Sequence, residues 1–298
     1  MTELAPQSKD GSYVRPTYSF TGQLGSSSFP LEEGRYHLYV GNACPWCHRL
    51  TLAHTLRGLL QKQISYSYAI DDPEKASRGG WAFEPEGRGG GREGGKEHVD
   101  RVFGCRDLRE VYDLCAPGYT GRCTAPVLID KKTKRIVNNE SSDLLRSLNL
   151  FSPPSLPQNN IDLYPPPLRP KINEINAWIY PKINNGVYRC GFATTQKGYE
   201  EGVEDVFEGL ARVEQILEKQ RFLAGSVLTE ADVSEGGREG GREGGEGCAY
   251  GTLIFSLSPH FSFPNSLPRQ LTPSSIPPFL PPSHTRFLGA PLSYYRSF

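Results

Sequence analysis

The segment Cys44-Pro45-Trp46-Cys47 lies where a strand pattern gives way to a helix pattern. Residues 36–40 (YHLYV) predict a short strand, and from Pro45 onward the apolar residues recur at helical spacing. Pro45 falls at the first helical position, where its missing N–H costs nothing. Cys44 is therefore predicted to be the N-cap residue, at the positive end of the helix dipole. Because an anion is favoured there, we expect the Cys44 thiol to ionise more readily than a free cysteine.

The charge balance and the cysteine count exclude several classes of protein. Lys+Arg and Asp+Glu number 33 each, which argues against binding to nucleic acid or to a membrane surface. No apolar run is long enough to span a bilayer, and residues 1–10 contain no apolar signal core. The seven cysteines are odd in number and irregularly spaced, unlike a secreted disulfide framework. A zinc site would need a second Cys or His pair beside Cys44 and Cys47, and the sequence has none. We expect a soluble cytoplasmic protein, or a plastid protein if a transit peptide is missing.

The order of predicted elements indicates an α/β domain over residues 31–150. Residues 1–30 are polar and predict a flexible lead-in. Strand, helix and strand follow, then a helix over 108–114, a β-hairpin over 125–137 and a helix that begins at Ser141. This is the order of a thioredoxin-like domain. A Gly-rich, charged insertion near 87–98 has no apolar periodicity and is expected to be disordered.

The second half of the chain predicts an incomplete helical domain. A Pro-rich linker over 151–167 leads to a partial helical domain over 168–233, with amphipathic helices over 168–187 and 199–220. Thr229-Glu-Ala-Asp232 resembles a capping box and predicts a further helix start. Residues 234–298 are instead Gly-rich and then Pro-rich, and paired glycines cost about 1 kcal/mol each in a helix. We expect a low-complexity, disordered tail, as a retained intron or a mis-joined exon would produce.

Four blocks of sequence, in the right order, resemble the glutathionyl-hydroquinone reductases, the Xi class of glutathione transferases. The resemblance covers roughly residues 30 to 233. It implies a thioredoxin-like N-terminal domain followed by an all-α glutathione-transferase C-terminal domain, which is truncated here. The blocks are GRYHLYVGNACPWCHR over 34–49, Gly80-Trp81-Ala82-Phe83, APVL from 125 leading to VNNES ending at 141, and INNGVY over 183–188.

The resemblance also implies a role for each matching residue. Cys44 matches the catalytic cysteine, and many members of the family have alanine in place of Cys47, so a second thiol is not required. The residues implied to bind glutathione are Trp81 beside the peptide, Ala125 through its backbone before a cis Pro126, and Glu140 and Ser141 at the γ-glutamyl end. Tyr188 matches a tyrosine of the electrophile pocket.

The implied function is glutathione-dependent reduction of glutathionyl-hydroquinones through a mixed disulfide between Cys44 and glutathione. Glutathione would be a co-substrate with no metal, the other partners would be quinone-derived conjugates, and the family implies a homodimer. Three alternatives remain open. They are a glutaredoxin-like oxidoreductase that uses Cys44 and Cys47 as a dithiol pair, a conjugating glutathione transferase, and an inactive glutathione-binding protein.

Overall fold

The computed structural model describes residues 6–41, 44–72, 80–85, 98–152 and 161–234. These residues form two compact units, one within 17–164 and the other combining 6–16 with residues from 165 onward. Three predicted segments lie mostly or wholly outside the described residues. They are the insertion at 87–97, the linker at 153–160 and the tail at 235–298.

The unit within residues 17–164 is built on a five-stranded sheet in the order β3-β2-β1-β4-β5. Strand β1 runs parallel to β2 and antiparallel to β4, while β4 forms a hairpin with β5 and β3 pairs with the edge of β2. Helix α1 follows β1, α2 precedes β4, and α3 follows β5 and packs against α1. The strands are β1 Tyr36–Gly41, β2 Ile64–Asp71, β3 Trp81–Ala82, β4 Val127–Asp130 and β5 Arg135–Asn138, and the helices are α1 Pro45–Leu56, α2 Leu108–Cys115 and α3 Ser141–Leu150.

The predicted thioredoxin-like fold is confirmed by this topology. Strand β1 lies inside the sheet between β2 and β4, and all six of its residues are buried. A strand covered on both faces carries no strict alternation of apolar and polar residues, which explains why YHLYVG reads as a nearly continuous run. Cys44 therefore lies just beyond the end of the buried central strand of the sheet.

The second unit is helical, as predicted. Its helices are α4 Arg169–Ile179, α5 Gly186–Gly191, α6 Gln196–Leu217 and α7 Glu230–Ser234. The apolar face of the first predicted helix is formed by isoleucines and is buried, with Ile172, Ile175, Ile179 and Ile183 each at most 5% exposed. Helix α7 begins directly after Thr229, whose N–H donates to Asp232 Oδ2 at 2.9 Å. A helix therefore begins where the capping-box sequence predicted one.

The helix predicted over 168–187 is not continuous. A short 3-10 turn, Pro166–Leu168, precedes α4, and a π-helical turn, Tyr180–Asn184, separates α4 from α5. Pro181 lies within that turn and has no N–H to donate, so it disrupts regular helical bonding. The pattern of apolar residues is preserved across the turn, which is why periodicity alone did not reveal the break.

The apolar face predicted for α6 is covered less than expected. Val213 is buried, whereas the other large apolar residues of that face are half-buried. The close contact of α6 is made instead by glycine, since a Cβ at Gly202 would lie 3.0 Å from Cys190 Sγ. The half-buried residues are Val203, Val206, Leu210 and Leu217.

Residues 6–30, part of the predicted flexible lead-in, form backbone hydrogen bonds within the two units. In the helical unit, Gly11 O accepts the N–H of Thr194 at 3.0 Å. In the sheet unit, the Gly22 N–H donates to Val137 O at 2.8 Å, next to a bridge between Thr21 and Asn138. This second contact covers the outer edge of β5, and covering an exposed edge is a common requirement of sheets. Polar composition did not indicate such backbone pairing.

Candidate active site

Cys44 is the N-cap residue of α1, as the sequence predicts. Its backbone is extended, with φ −92° and ψ 118°, and its carbonyl accepts the N–H groups of Cys47 and His48, both at 3.0 Å. The thiol itself does not cap the helix. Cys44 Sγ lies 3.7 Å from Ala125 O, and the residue is 4% exposed. The turn therefore holds a sulfur at a helix N-terminus, where the dipole favours a thiolate.

Cys47 lies one turn further along α1 and is a neutral thiol. It is 1% exposed, and its sulfur accepts the Gly41 N–H at 3.1 Å. Burial raises the pKa of Cys47 well above its ordinary value, and a hydrogen bond with Cys44 raises it further. A protonated Cys47 can donate to an ionised Cys44, and such a bond favours the anion. The raised pKa of Cys47 makes it the less suitable of the two thiols to ionise, and its position allows it to donate to Cys44.

The loop before β4 lies beside Cys44 and contains a cis peptide bond between Ala125 and Pro126, as predicted. Tyr112 holds this loop from α2, because its hydroxyl donates to Thr124 O at 2.9 Å. The same hydroxyl accepts a hydrogen bond from Asn139 Nδ2 at 3.2 Å. Tyr112 thus ties the loop that carries Ala125 to the segment that leads into Glu140. Sequence reasoning missed this role, since Tyr112 reads only as one apolar position of a helix.

Glu140 and Ser141 lie at the start of α3. Glu140 is the N-cap residue, and its Oε1 accepts the Ser142 N–H at 3.0 Å. Ser141 is 3% exposed, and its hydroxyl receives a hydrogen bond of 3.4 Å from Arg49 Nη1. Helix α1 and helix α3 therefore bring Cys44 and the Glu140–Ser141 pair to one side of the same unit.

Arg49 is a second residue whose role the sequence did not predict. Its neighbour His48 faces solvent, but Arg49 is only 7% exposed. Its guanidinium lies 5.9 Å from the centre of the Trp46 ring, a cation–π distance. Trp46 and Arg49 are three residues apart on α1, and this spacing was the one available signal.

Trp81 is packed against the end of β1. It lies in the two-residue strand β3, opposite Asp71 of β2, and is 3% exposed. A Cβ built at Gly41 would lie 2.4 Å from two carbons of the Trp81 ring. The indole therefore occupies the space above Gly41, three residues before Cys44, and only glycine leaves room for it.

Replacing Gly41 by alanine is expected to destabilise this unit by roughly 2 kcal/mol, because the added methyl must displace the buried ring. Urea unfolding followed by tryptophan fluorescence measures the change. Gly191→Ala is the matched control, since no atom lies within 4 Å of a Cβ at that position. If Gly41→Ala were as stable as the control, the Trp81 ring would not occupy this space.

Tyr188, the residue matched to the electrophile pocket, lies in α5 of the helical unit. Its ring is half-buried, with the Arg15 guanidinium 4.7 Å from its centre and the Phe192 ring stacked at 6.3 Å. Arg15 is held in turn by Asn185, whose Oδ1 accepts from Nε at 2.9 Å. These contacts fix the ring within its own unit.

The remaining cysteines and acids form no further centre in the described part of the chain. The six cysteines in that part are free thiols, and Cys248 lies outside it. Within the same ranges no group of His, Cys, Asp or Glu side chains is arranged to hold a metal ion. No helix among the described residues is long and apolar enough to cross a membrane.

Comparisons with known proteins give a consistent set of relatives, although no family model matches the chain. It is 42% identical over 212 residues to glutathionyl-hydroquinone reductase YqjG of Escherichia coli K12, covering 71% of this chain and 61% of that protein. It is also 42% identical over 229 residues to glutathionyl-hydroquinone reductase PcpF of Sphingobium chlorophenolicum, covering 76% and 68%.

Solved structures agree with these relatives. The crystal structure of glutathione-S-transferase Xi from Phanerochaete chrysosporium matches with a TM-score of 0.68 and 40% identity, over 76% of this chain and 71% of that one. The glutathione-bound structure of YqjG from Escherichia coli matches with a TM-score of 0.63 and 41% identity, over 72% and 69%. This chain shares its fold with these structures. The shared fold contains the Cys44 turn, the cis bond at Pro126 and the start of α3. The chain therefore belongs to the glutathionyl-hydroquinone reductase family, the Xi class of glutathione transferases.

Proposed function

We propose that this chain reduces glutathionyl-hydroquinones with glutathione as co-substrate, through a mixed disulfide on Cys44. The observation that carries the proposal is the position of Cys44, a buried sulfur at a helix N-terminus, next to Cys47, whose pKa burial raises. A low-pKa thiol is what nucleophilic attack on sulfur requires. The chain spans 61% of the length of the Escherichia coli relative. The activity of that whole protein is therefore a proposal for this chain.

The reaction has two steps that balance. The Cys44 thiolate attacks the sulfur of the conjugate, an S–S bond forms, the carbon–sulfur bond breaks, and the hydroquinone leaves with the electron pair and takes a proton. A second glutathione thiolate then attacks the mixed disulfide, releasing oxidised glutathione and restoring the Cys44 thiolate. The proton taken by the hydroquinone is supplied, in net terms, by the second glutathione thiol.

The start of α3 is suited to the γ-glutamyl end of glutathione. The N–H groups at a helix N-terminus favour a carboxylate, and Ser141 adds a buried hydroxyl there. The Glu140 Oε1 atom accepts hydrogen bonds from Ser142, while Oε2 makes no hydrogen bond to any described residue. That oxygen is suited to the glutamyl ammonium. The backbone of Ala125, before the cis Pro126, is proposed to pair with the cysteinyl part, and Trp81 to support the peptide from the end of β1.

Replacing Ser141 by alanine is expected to raise the KM for glutathione about tenfold and to change kcat little, since a hydrogen bond to a charged group is lost at a binding position. Steady-state kinetics at varied glutathione measure the effect. Ser147→Ala is the control, because Ser147 is also a buried serine of α3 and lies nearly two turns further along. Equal KM values in the two variants would contradict the assignment of Ser141.

The test of the function is a direct assay of the full chain. Incubation with glutathionyl-p-hydroquinone and glutathione should release p-hydroquinone and oxidised glutathione in equal amounts, measured by chromatography. In the absence of free glutathione, intact-mass spectrometry should show one glutathione attached to the protein. Binding of glutathione without release of hydroquinone would instead support the inactive glutathione-binding protein, and transfer of glutathione to an electrophile would support the conjugating enzyme.

Two further features are proposed on the family resemblance, namely assembly as a homodimer and a cytoplasmic location. Light scattering behind a sizing column measures the first. Fluorescence microscopy of a tagged chain measures the second, with the plastid as the alternative.

A further inference from the structure

A second pocket lies at the opposite end of β1 from Cys44. It has a volume of about 410 Å³ and is lined from β1, β2, the 101–103 segment and the turn after β4. His37, near the start of β1, is part of its wall and lies four positions before Gly41 along the extended strand, a distance of about 13 Å. The pocket is therefore distinct from the site around Cys44, and its volume falls in the range of pockets that hold small molecules.

His37 is the buried polar group of this pocket. It is 2% exposed, and its Nδ1 lies 2.7 Å from Ser65 Oγ. Its Nε2 is buried and has no hydrogen-bond partner among the described residues. Buried ring nitrogens are nearly always paired, so an open one requires an explanation. The pocket that His37 lines is the space from which a partner can come.

The protonation state of His37 determines what that partner can be. Burial lowers the pKa of His37 to about 3, with smaller contributions from Asp100, which raises it, and from Lys131, which lowers it further. The ring is therefore neutral near pH 7 and carries one N–H. Ser65 Oγ lies 3.5 Å from Tyr36 O, its alternative acceptor, against 2.7 Å from His37 Nδ1. In the tautomer in which the hydroxyl donates to Nδ1, the ring hydrogen lies on Nε2, and this is the tautomer that an anion in the pocket selects.

The charge of the pocket is positive. Lys131 and Arg101 both line it, and no Asp or Glu is among its described lining residues. Lys131 is half-buried, burial lowers its pKa, and it forms no ion pair with a described carboxylate. A partly desolvated cation without a counterion is costly unless an anion joins it.

The nearby carboxylate of Asp100 is already satisfied and does not play that part. Its Oδ1 accepts the hydroxyl of Tyr39 at 2.8 Å and the Val102 N–H at 2.9 Å, and its Oδ2 accepts the Cys105 N–H at 2.9 Å. These bonds hold the 100–105 turn in place rather than neutralise Lys131.

We propose that this pocket binds a small organic anion whose carboxylate or phosphate meets Lys131 and the Nε2–H of His37. Val102 and Phe103, which also line the pocket, are placed to contact the apolar or aromatic body of the ligand. The ligand class is thus an oxyanion carried on a compact apolar group, bound independently of glutathione.

The probe for the test is 1-naphthoate, with the uncharged 1-naphthamide as its isostere. Titration calorimetry of the full chain should give an affinity for naphthoate at least about tenfold higher than for the amide, because the charge-assisted bonds are lost in the amide. Saturating glutathione should leave the naphthoate affinity unchanged. Equal affinity for acid and amide, or displacement of naphthoate by glutathione, would overturn the proposal.

Variants of the turn after β4 locate the binding. Lys131→Gln should weaken naphthoate binding about tenfold, and Lys131→Arg should restore most of the affinity. Lys132→Gln is the matched control, since Lys132 is the adjacent lysine and pairs with Glu32 outside the pocket. The same loss in both glutamine variants, or a loss in neither, would reject Lys131 as the ligand of the anion.

An NMR measurement makes the test independent of whether a His37 variant folds. In protein labelled with ¹⁵N-histidine, naphthoate should shift the Nε2 resonance of His37 and leave those of His48 and His54 in place. His37 is assigned from the spectrum of His37→Gln or, if that variant does not fold, by elimination with single glutamine variants of the other histidines. A shift confined to other histidines would place the binding elsewhere and overturn the proposal.

Discussion

Replacing Cys44 by serine is expected to lower kcat/KM for glutathionyl-p-hydroquinone by roughly 10³-fold or more, the size of effect seen when a nucleophile is removed. A serine hydroxyl does not ionise at the helix N-terminus near pH 7, and it has no sulfur with which to form a mixed disulfide. Release of hydroquinone measures the rate, and intact-mass spectrometry should show that no glutathione becomes attached. A variant that kept a tenth of the activity would exclude Cys44 as the nucleophile.

Cys47→Ser is the matched control for this prediction. Cys47 is buried and burial raises its pKa, so it is not the thiol that ionises, and a serine hydroxyl can still donate to Cys44. We expect its kcat/KM to stay within about threefold of that of the unchanged chain. A loss comparable to that of Cys44→Ser, with a disulfide between the two cysteines during turnover, would support the glutaredoxin-like dithiol mechanism instead.

The sequence predicted those parts of the site that depend on one element and its neighbour. The strand and helix around Cys44 could be read from spacing and from Pro45, because an N-cap is a local feature. The hairpin and the helix start at Ser141 could be read in the same way. The cis bond at Pro126 came from the resemblance, since sequence patterns alone do not distinguish cis from trans.

The sequence did not predict the contacts that join elements distant along the chain. Arg49 reaches Ser141 across 92 residues, and Tyr112 joins Thr124 to Asn139. Both residues look ordinary within their own helices, because which face is covered depends on tertiary packing. The π-helical turn at Pro181 and the pairing of Thr21 with Asn138 were missed for the same reason. The pocket near His37 could not be predicted from the sequence, because it depends on the register of β1 against β2.

A buried ion pair between Arg35 and Asp130 stabilises the sheet that carries the site. Asp130 ends β4, and its side chain is fully buried. Its Oδ1 and Oδ2 accept from Arg35 Nε at 3.0 Å and Nη2 at 2.6 Å, and the hydroxyl of Thr133 donates to Oδ2 at 2.7 Å. This bidentate pair fastens the start of β1 to the turn between β4 and β5.

Asp130→Asn is expected to destabilise the protein by about 3 kcal/mol, because it removes the buried counterion of a mostly buried guanidinium and leaves only the more exposed Glu32. The thermal midpoint should fall by about 10 °C. Glu32→Gln is the matched control, since Glu32 pairs with the same guanidinium from a more exposed position and should change the midpoint little. Similar losses in the two variants would show that burial of Asp130 does not strengthen the pair.

The pH dependence gives an independent check of the same pair. Burial raises the pKa of Asp130, but the hydrogen bonds from Arg35 and Thr133 outweigh burial and the net pKa is lowered. A carboxyl whose pKa is lower in the folded state contributes stability that is complete above its unfolded pKa, near 4, and is lost as the pH falls below it. The gap in midpoint between the unchanged chain and Asp130→Asn should therefore be constant from pH 7 to pH 5 and should narrow below pH 4. A gap that stayed constant down to pH 3 would mean that the charge of Asp130 is not what stabilises the fold.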